Sequence, residues 1–201
     1  MIRRALISVS DKAGLEELVK ALGEYGVEIV SSGGTAKRVK ELGYARLTEV
    51  GDYTGHPESP GGLLKTLHPR VHGGLLLSRD VPDHREYMDK HGIEPFEMVV
   101  VNLYPFEATV AKGADLLTAA ENIDIGGPTM IRSAAKAALL YGSVAIVTDP
   151  KQYPEVIKAL KTNKGDVPAT MKRELAEKAY ARTSAYDAAI TAYLEKERKK
   201  K

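Results

Sequence analysis

Short apolar runs alternate along the chain with stretches whose apolar residues recur every three or four positions. Residues 5–9 (Ala5-Leu6-Ile7-Ser8-Val9) read as a strand, and the helix expected from Asp11 onward places Leu15, Leu18, Val19 and Leu22 on one face. A second strand over 27–30 runs through Ser31-Ser32-Gly33-Gly34-Thr35 into a helix ending near Gly43, followed by a short strand over 47–50. Residues 51–74 are so rich in glycine and proline that they read as one long irregular loop. Residues 83–91 read as helical. Residues 97–103 hold Met98-Val99-Val100-Val101, the unbroken apolar run of a strand buried on both faces. A helix is expected with Pro128 at its first position, its apolar face made by Ile131, Ala134, Ala135, Ala138 and Leu139. Residues 143–148 read as another strand, and Asp149-Pro150 starts the next helix. Residues 169–196 form a long amphipathic helix or a helix pair, with Leu175, Ala179, Ala185, Ala188, Ala189 and Leu194 as its apolar positions.

Strands alternating with helices predict an α/β fold, an open, mostly parallel sheet flanked by helices with a C-terminal helical extension. We expect one domain over residues 1–201, with an α/β core to about 162 and a helical segment over about 163–201. Such sheets bind ligands outside the carboxyl ends of their strands, so the residues just after each strand are the ones to read for chemistry.

Composition narrows the classes. The chain has 29 basic and 27 acidic residues and a net charge of +2, which gives no electrostatic case for nucleic acid. The basic run Lys196-Glu197-Arg198-Lys199-Lys200-Lys201 reads as the frayed end of a helix, where cations suit the helix dipole. There is no cysteine, so thiol nucleophiles, thiolate metal sites and disulfides are excluded. No apolar run approaches the roughly 18 residues of a membrane span, and no apolar leader precedes the first strand. These features predict a cytoplasmic chain without membrane contact.

The strand ends carry the candidate chemistry. Ser10, Asp11 and Lys12 put a hydroxyl, backbone N–H groups and an ammonium where the first strand meets its helix, which suits a phosphate and equally suits a plain helix cap. At the second strand, Gly33 and Gly34 let backbone N–H groups approach an anion, with Ser32 and Thr35 supplying hydroxyl donors. This is neither a Walker A motif nor G-x-G-x-x-G. Two small anion sites on adjacent strands suggest one monophosphate held from two sides. In Lys65-Thr66-Leu67-His68-Pro69-Arg70-Val71-His72, the histidines are four apart, but no glutamate or third ligand completes a zinc site. They read as makers of loop hydrogen bonds, with Lys65 facing a ligand. Asn102 and Tyr104 end the valine-rich strand and suit a polar ring or carboxamide, although a tyrosine packed under its loop is the commoner arrangement. Lys136 stands among alanines; periodicity alone puts it on the solvated face beside Arg132.

Taken together, "SVSDK", "SSGGTAK", "KTLHP-VHGG", "VVVNLYPF-TVA", "ENIDIGGPTMIR-AAK" and "TSAYDAAI" closely resemble the IMP cyclohydrolase domain of the bifunctional purine-biosynthesis enzyme, across nearly the whole chain and in the same order. The family's formyltransferase half has no counterpart in these residues. The resemblance implies a methylglyoxal-synthase-like, Rossmann-like fold and closure of 5-formamidoimidazole-4-carboxamide ribonucleotide to IMP and water, the last step of de novo purine synthesis. It implies no metal or organic cofactor, a purine-precursor ribonucleotide monophosphate as the bound molecule, and a homodimer. Association with a separate formyltransferase is left open.

Carried over by position, the resemblance makes Ser10, Asp11, Lys12, Ser32, Gly33, Gly34 and Thr35 phosphate-binding. Lys65 and Thr66 fall near the base and the developing oxyanion, Asn102 and Tyr104 against the base or carboxamide, and Asp124, Ile125, Gly126 and Gly127 in a base-binding turn. Lys65, Tyr104, Asp124 and Lys136 become the catalytic set, with Lys136 transferring protons. Leu63 stands where many relatives carry arginine, which leaves Lys65, backbone amides or Arg70 to supply the missing charge.

One geometric difficulty accompanies this assignment. Lys136 lies about 12 Å along the helix axis from Pro128 at the usual rise. Either the ligand lies alongside the helix, or the loop folds back, or one residue acts across a dimer interface. Two other functions compete. A non-catalytic effector-binding domain of the same fold needs the phosphate cradle without Asp124 or Lys136, and a methylglyoxal synthase shares fold and cradle but not the later motifs.

Overall fold

The computed structural model describes residues 1–62 and 64–199; Leu63, where the relatives' arginine is replaced, lies outside them, as do Lys200 and Lys201 of the basic tail. The strands are β1 (Arg4–Val9), β2 (Glu28–Ser31), β3 (Leu47–Glu49), β4 (Met98–Asn102) and β5 (Ala145–Val147). The helices are α1 (Leu15–Gly23), α2 (Gly33–Glu41), α3 (Val50–Thr54), α4 (Pro69–Leu76), α5 (Pro82–His91), α6 (Phe106–Ala111), α7 (Leu116–Glu121), α8 (Gly126–Tyr141), α9 (Tyr153–Thr162) and α10 (Ala169–Arg198).

All strand pairs are parallel, in the order β3-β2-β1-β4-β5. The chain winds outward from β1 to β3, then returns to β4 on the other side of β1. That reversal opens a crevice at the carboxyl ends of β1 and β4.

The period of two along each strand divides the core. Val99 and Val101 face the layer of α4, α8 and α10 together with Leu6, Val30 and Ile146. Met98 and Val100 face α1 and α9 together with Ala5, Ile7, Val9 and Val147. Burial on both faces is why β4 reads as a continuous apolar run.

Several boundaries differ from the sequence reading, each for a local reason. Asp11 does not start α1: its carboxylate accepts from the Ala13 N–H at 2.9 Å, and the helix begins four residues later, behind Gly14 at φ 66°. The glycine-rich stretch 51–74 contains α3, α4 and a 3-10 turn at Pro60–Gly62. Its glycines partly serve packing, since a Cβ on Gly74 would come 2.5 Å from the Glu94 carbonyl oxygen. α8 begins at Gly126, which puts Pro128 at the third helical position. Leu139 is 52% exposed, and Ala137 takes its place in the buried face.

The long C-terminal helix is a single rod built into the core. Its buried stripe is Leu175, Ala176, Ala179, Thr183 and Tyr186, while Ala185, Ala188 and Leu194 face outward. Asp149 caps a 3-10 turn, Pro150–Gln152, that leads into α9 three residues later than expected: its side chain accepts from the Lys151 N–H, and Gln152 reaches back to the Asp149 N–H in a capping box. Among the described residues, no helix is long and apolar enough to cross a membrane.

Candidate active site

A cavity of about 280 Å³ occupies the crevice at the β1/β4 reversal. Its walls come from five places in the chain: the end of β1, the end of β2, the stretch before α4, the end of β4, and the turn into α8.

At one end, α2 points its N-terminus into the cavity. The first intrahelical bond of this helix is Ala36 N–H to the Ser32 carbonyl, so the N–H groups of Gly33, Gly34 and Thr35 have no helical acceptor. Ser32 occupies the capping position without capping, and its hydroxyl is buried with no partner. A buried orphan hydroxyl is costly unless something else satisfies it. Two ammonium groups stand over the glycines: a Cβ on Gly34 would meet Lys12 Nζ at 3.8 Å, and one on Gly33 would meet Lys65 Nζ at 3.6 Å. Free N–H groups, an unpaired hydroxyl and two cations together form an anion cradle.

Two residues expected to contact ligand here have other partners. The Thr35 hydroxyl donates to the Val9 carbonyl and accepts from the Val9 N–H, both at 3.0 Å, so it ties α2 to β1 and leaves only the Thr35 N–H for an anion. Asn102 Oδ1 accepts from the N–H groups of Ser10 at 2.7 Å and Asp11 at 2.9 Å, and its Nδ2 donates to the Asp11 carbonyl at 2.8 Å. The amide thus holds the β1–α1 loop instead of facing a base. Asp11 is not among the residues lining the cavity, whose wall here is Ser10 and Lys12, and its carboxylate is taken up by the Ala13 N–H.

At the other end, α8 also aims its N-terminus inward, through a second Gly-Gly pair. Here a carboxylate is already in place: Asp124 Oδ1 accepts from the Gly127 N–H at 2.8 Å. Burial pushes the Asp124 carboxyl above the ordinary range; the Gly127 and Tyr104 N–H groups and the Lys65 ammonium pull in the opposite direction. Nothing larger than glycine fits this turn. A Cβ on Gly127 would lie 2.5 Å from Asp124 Oδ2 and 2.6 Å from Leu103 Cδ2, and one on Gly126 would lie 2.6 Å from Thr66 Oγ1. Lys65, Thr66, Tyr104, Asp124, Ile125, Gly126 and Gly127 all line this end. Lys65 also pairs with Glu58 at 3.3 Å.

The supporting contacts explain the two histidines. His68 caps α4, its Nδ1 accepting from the Arg70 N–H at 3.1 Å. His72 is bonded to Ser133 of α8 at 3.0 Å through Nδ1, which ties α4 to α8 beside the site, while its buried Nε2 has no hydrogen-bond partner. Burial lowers the His72 pKa and keeps the ring neutral. Arg70 does not replace the relatives' arginine: it lies over the Tyr53 ring at 5.2 Å and donates to the Gly92 carbonyl at 2.8 Å.

Lys136 is outside the cavity. It lies on the exposed face of α8, nearly three turns from Gly126. Conversely, sequence reasoning overlooked Tyr186. Its hydroxyl accepts from the Asp124 N–H at 2.8 Å and reaches the Asn122 carbonyl, while its ring packs edge-on against Phe106. The signal was available: Tyr186 continues the helical stripe Leu175–Ala179–Thr183. Glu121, a second acidic group in the wall, was also unassigned.

The known proteins this chain is similar to fit the geometry. Residues 14–129 match the family model of the MGS-like domain, and residues 134–201 match that of the AICARFT/IMPCHase bienzyme. The bifunctional purine biosynthesis protein PurH of Magnetococcus marinus is 55% identical over 194 residues, which is 96% of this chain and 36% of that protein. The PurH of Bradyrhizobium diazoefficiens is 54% identical over 94% of this chain and 35% of its own length. The chain therefore spans about a third of the curated relatives it matches. A crystal structure of ForH superposes with a TM-score of 0.82 at 31% identity, covering 94% of this chain and 95% of that one.

Proposed function

We propose that this chain, which belongs to the family of MGS-like domains and carries the AICARFT/IMPCHase bienzyme signature in its last third, is an IMP cyclohydrolase. It would convert 5-formamidoimidazole-4-carboxamide ribonucleotide to IMP and water in the cytoplasm, with residues 1–201 acting as one catalytic unit. The observation that carries this reading is the union, in one cavity, of an open helix N-terminus beneath Lys12 and Lys65 and a partly buried carboxylate, Asp124, that feels the Lys65 charge. A nucleotide precursor with an uncharged, amide-bearing ring matches both ends.

In this reading Ser10, Lys12, Ser32 and the N–H groups of Gly33, Gly34 and Thr35 hold the phosphate. The reaction is intramolecular, so the site's first task is to select the conformer with the formyl group turned toward the carboxamide. The carboxamide nitrogen attacks the formyl carbon, a C–N bond forms, and the nitrogen loses a proton while the carbonyl oxygen gains negative charge. Lys65, beside Thr66, stabilises that oxygen. Asp124 and Tyr104 orient the carboxamide; the oxygen takes up the proton released by the carboxamide nitrogen, and the resulting hydroxyl leaves as water with the proton of the former formamide N–H while a C=N bond forms. Ile125, Gly126 and Gly127 shape the base-binding turn.

Lys136 enters the proposal through a second copy of the chain. Tyr104 and Ile125 are exposed in the cavity wall and Leu64 is exposed beside Lys65 of that wall, an apolar rim of the kind that marks association surfaces. A homodimer that covers the rim would bring Lys136 of one copy to the cavity of the other, where it would move protons.

The test is turnover of the formamido nucleotide followed by the ultraviolet change. Lys65→Ala and Lys136→Ala should each lose on the order of a hundredfold or more in kcat. Mixing the two variants should restore about a quarter of wild-type activity, because half the dimers then hold one intact site. No recovery on mixing would rule out action across the interface, and wild-type turnover by Lys136→Ala would place Lys136 outside the chemistry. IMP binding without any turnover would favour a non-catalytic effector-binding domain instead.

A further inference from the structure

The Asp124 N–H belongs to neither of the helices that flank it. The end of α7 closes with the Asn122 N–H on the Ala119 carbonyl and the Ile123 N–H on the Ala120 carbonyl, both at 3.1 Å. α8 starts only at Gly126, so the Asp124 N–H falls between the two and takes an acceptor from elsewhere in the chain, the Tyr186 hydroxyl at 2.8 Å. The same hydroxyl donates to the Asn122 carbonyl at 3.4 Å. One phenol therefore bridges a carbonyl and an N–H two residues apart and clamps the turn 122–124. The Asp124 side chain is held separately, by the Gly127 N–H at 2.8 Å.

The other end of the same side chain reaches a second wall segment. Tyr186 is fully buried, and its ring meets Phe106 edge-on at a centroid distance of 6.1 Å. Phe106 opens α6 directly after Tyr104-Pro105, and its N–H returns to the Tyr104 carbonyl at 2.8 Å. One turn earlier in α10, Arg182 lies over the Tyr186 ring at 5.8 Å and pairs with Glu107 of α6 at 3.1 Å. Tyr186 thus touches both segments that bring side chains to this end of the cavity, its ring the one after Tyr104 and its hydroxyl the one that carries Asp124. A phenylalanine in its place keeps the ring contact and leaves the Asp124 N–H without its acceptor.

We propose that Tyr186 is a positioning residue for the reaction, holding the turn 122–124 so that the Asp124 carboxylate stands in the cavity wall with Tyr104 and Lys65. The inference rests on the reading of Asp124 as the group that orients the carboxamide. Through this one residue α10, which lines no part of the cavity among the described residues, takes part in building the site.

The test is a double-mutant cycle. Turnover of the formamido nucleotide would be measured for wild type, Tyr186→Phe, Asp124→Ala and the double variant, with calorimetry of inorganic phosphate as a gauge of the opposite end of the cavity. Tyr186→Phe should lower kcat by about tenfold, the effect of one lost hydrogen bond, and leave phosphate affinity within about twofold of wild type. In the Asp124→Ala background the same change should cost less than about twofold, because the group it positions is already gone. A loss of about tenfold in both backgrounds would reduce Tyr186 to general support of the fold and overturn the proposal, as would full turnover by Tyr186→Phe. The Asp124 carboxyl gives a readout that needs no turnover. Burial raises its pKa against the pull of the Gly127 N–H and the Lys65 ammonium, and a loosened turn admits water. Its titration, followed by carbon NMR, should therefore move down toward the ordinary carboxylate range in Tyr186→Phe, and an unmoved titration overturns the proposal. If wild type does not turn over the formamido nucleotide, the cyclohydrolase reading fails while the carboxyl titration still decides the role of Tyr186. Should Tyr186→Phe not fold, 4-fluorophenylalanine placed at position 186 fills the space of the hydroxyl without its proton, and the same outcomes decide.

Discussion

Two helices aim their N-termini at the same cavity, each entered through a Gly-Gly pair, and they differ in what meets the free N–H groups. At α2 the capping residue Ser32 makes no cap and the end stands open beneath Lys12 and Lys65. At α8 the chain supplies its own anion, with Asp124 on the Gly127 N–H. Both ends use the positive pole of a helix dipole. The open end has no anion of its own from the chain, whereas the filled end keeps a carboxylate inside a partly buried site. The two glycine pairs look alike in sequence and do opposite work.

Asp124→Asn gives the largest break in that comparison. It preserves an acceptor for the Gly127 N–H and removes the charge, and turnover should fall on the order of a hundredfold. Stability should move the other way. Burial raises the Asp124 pKa, so between the ordinary and the raised value the folded chain binds more protons than the unfolded one. Stability therefore falls as pH rises through that window, and the deficit persists at neutral pH. Asp124→Asn should raise the melting temperature at pH 7, and the gain should disappear as pH drops below the ordinary carboxylate range. An equal gain at all pH values would remove the burial argument.

The glycines give the next contrast. Gly127→Ala collides with Asp124 and Leu103 and should cost about 1–3 kcal/mol of stability along with most activity. Gly34→Ala meets only the tip of Lys12 at 3.8 Å, so chemical denaturation should be unchanged while KM for the nucleotide rises. Equal destabilisation by the two changes would erase the distinction between a packed helix end and an open one.

The smallest expected effect is at Ser32. Removing an unpartnered buried hydroxyl should leave the melting temperature level or slightly higher. The same Ser32→Ala change should weaken nucleotide monophosphate binding by about tenfold, one lost hydrogen bond. Calorimetry against inosine and IMP separates a phosphate contact from a base contact.

What could be read along the chain follows from interactions of short range. A strand buried on both faces must be apolar at every position, so β4 was legible as Met98–Val101, and the Asp149–Gln152 capping box closes within four residues. The free N–H groups at Gly33–Thr35 were legible for the same reason, because they follow directly from where the helix starts.

Tertiary structure decided how individual side chains are used. The Thr35 hydroxyl and the Asn102 amide had the right chemistry for a ligand, yet each is held by backbone groups of β1 and its following loop, which only the parallel pairing of β1 with β2 and β4 brings within reach. Tyr186 reaches Asp124 across 62 positions of sequence because α10 packs onto α8. Lys136 faces outward because the opposite side of α8 is taken up by Ile131, Ala134, Ala135 and Ala138 against the sheet. Side-chain type determines what a residue can donate or accept, and that much is local. Which partner it meets is set by distances between segments, and those exist only once the sheet is assembled.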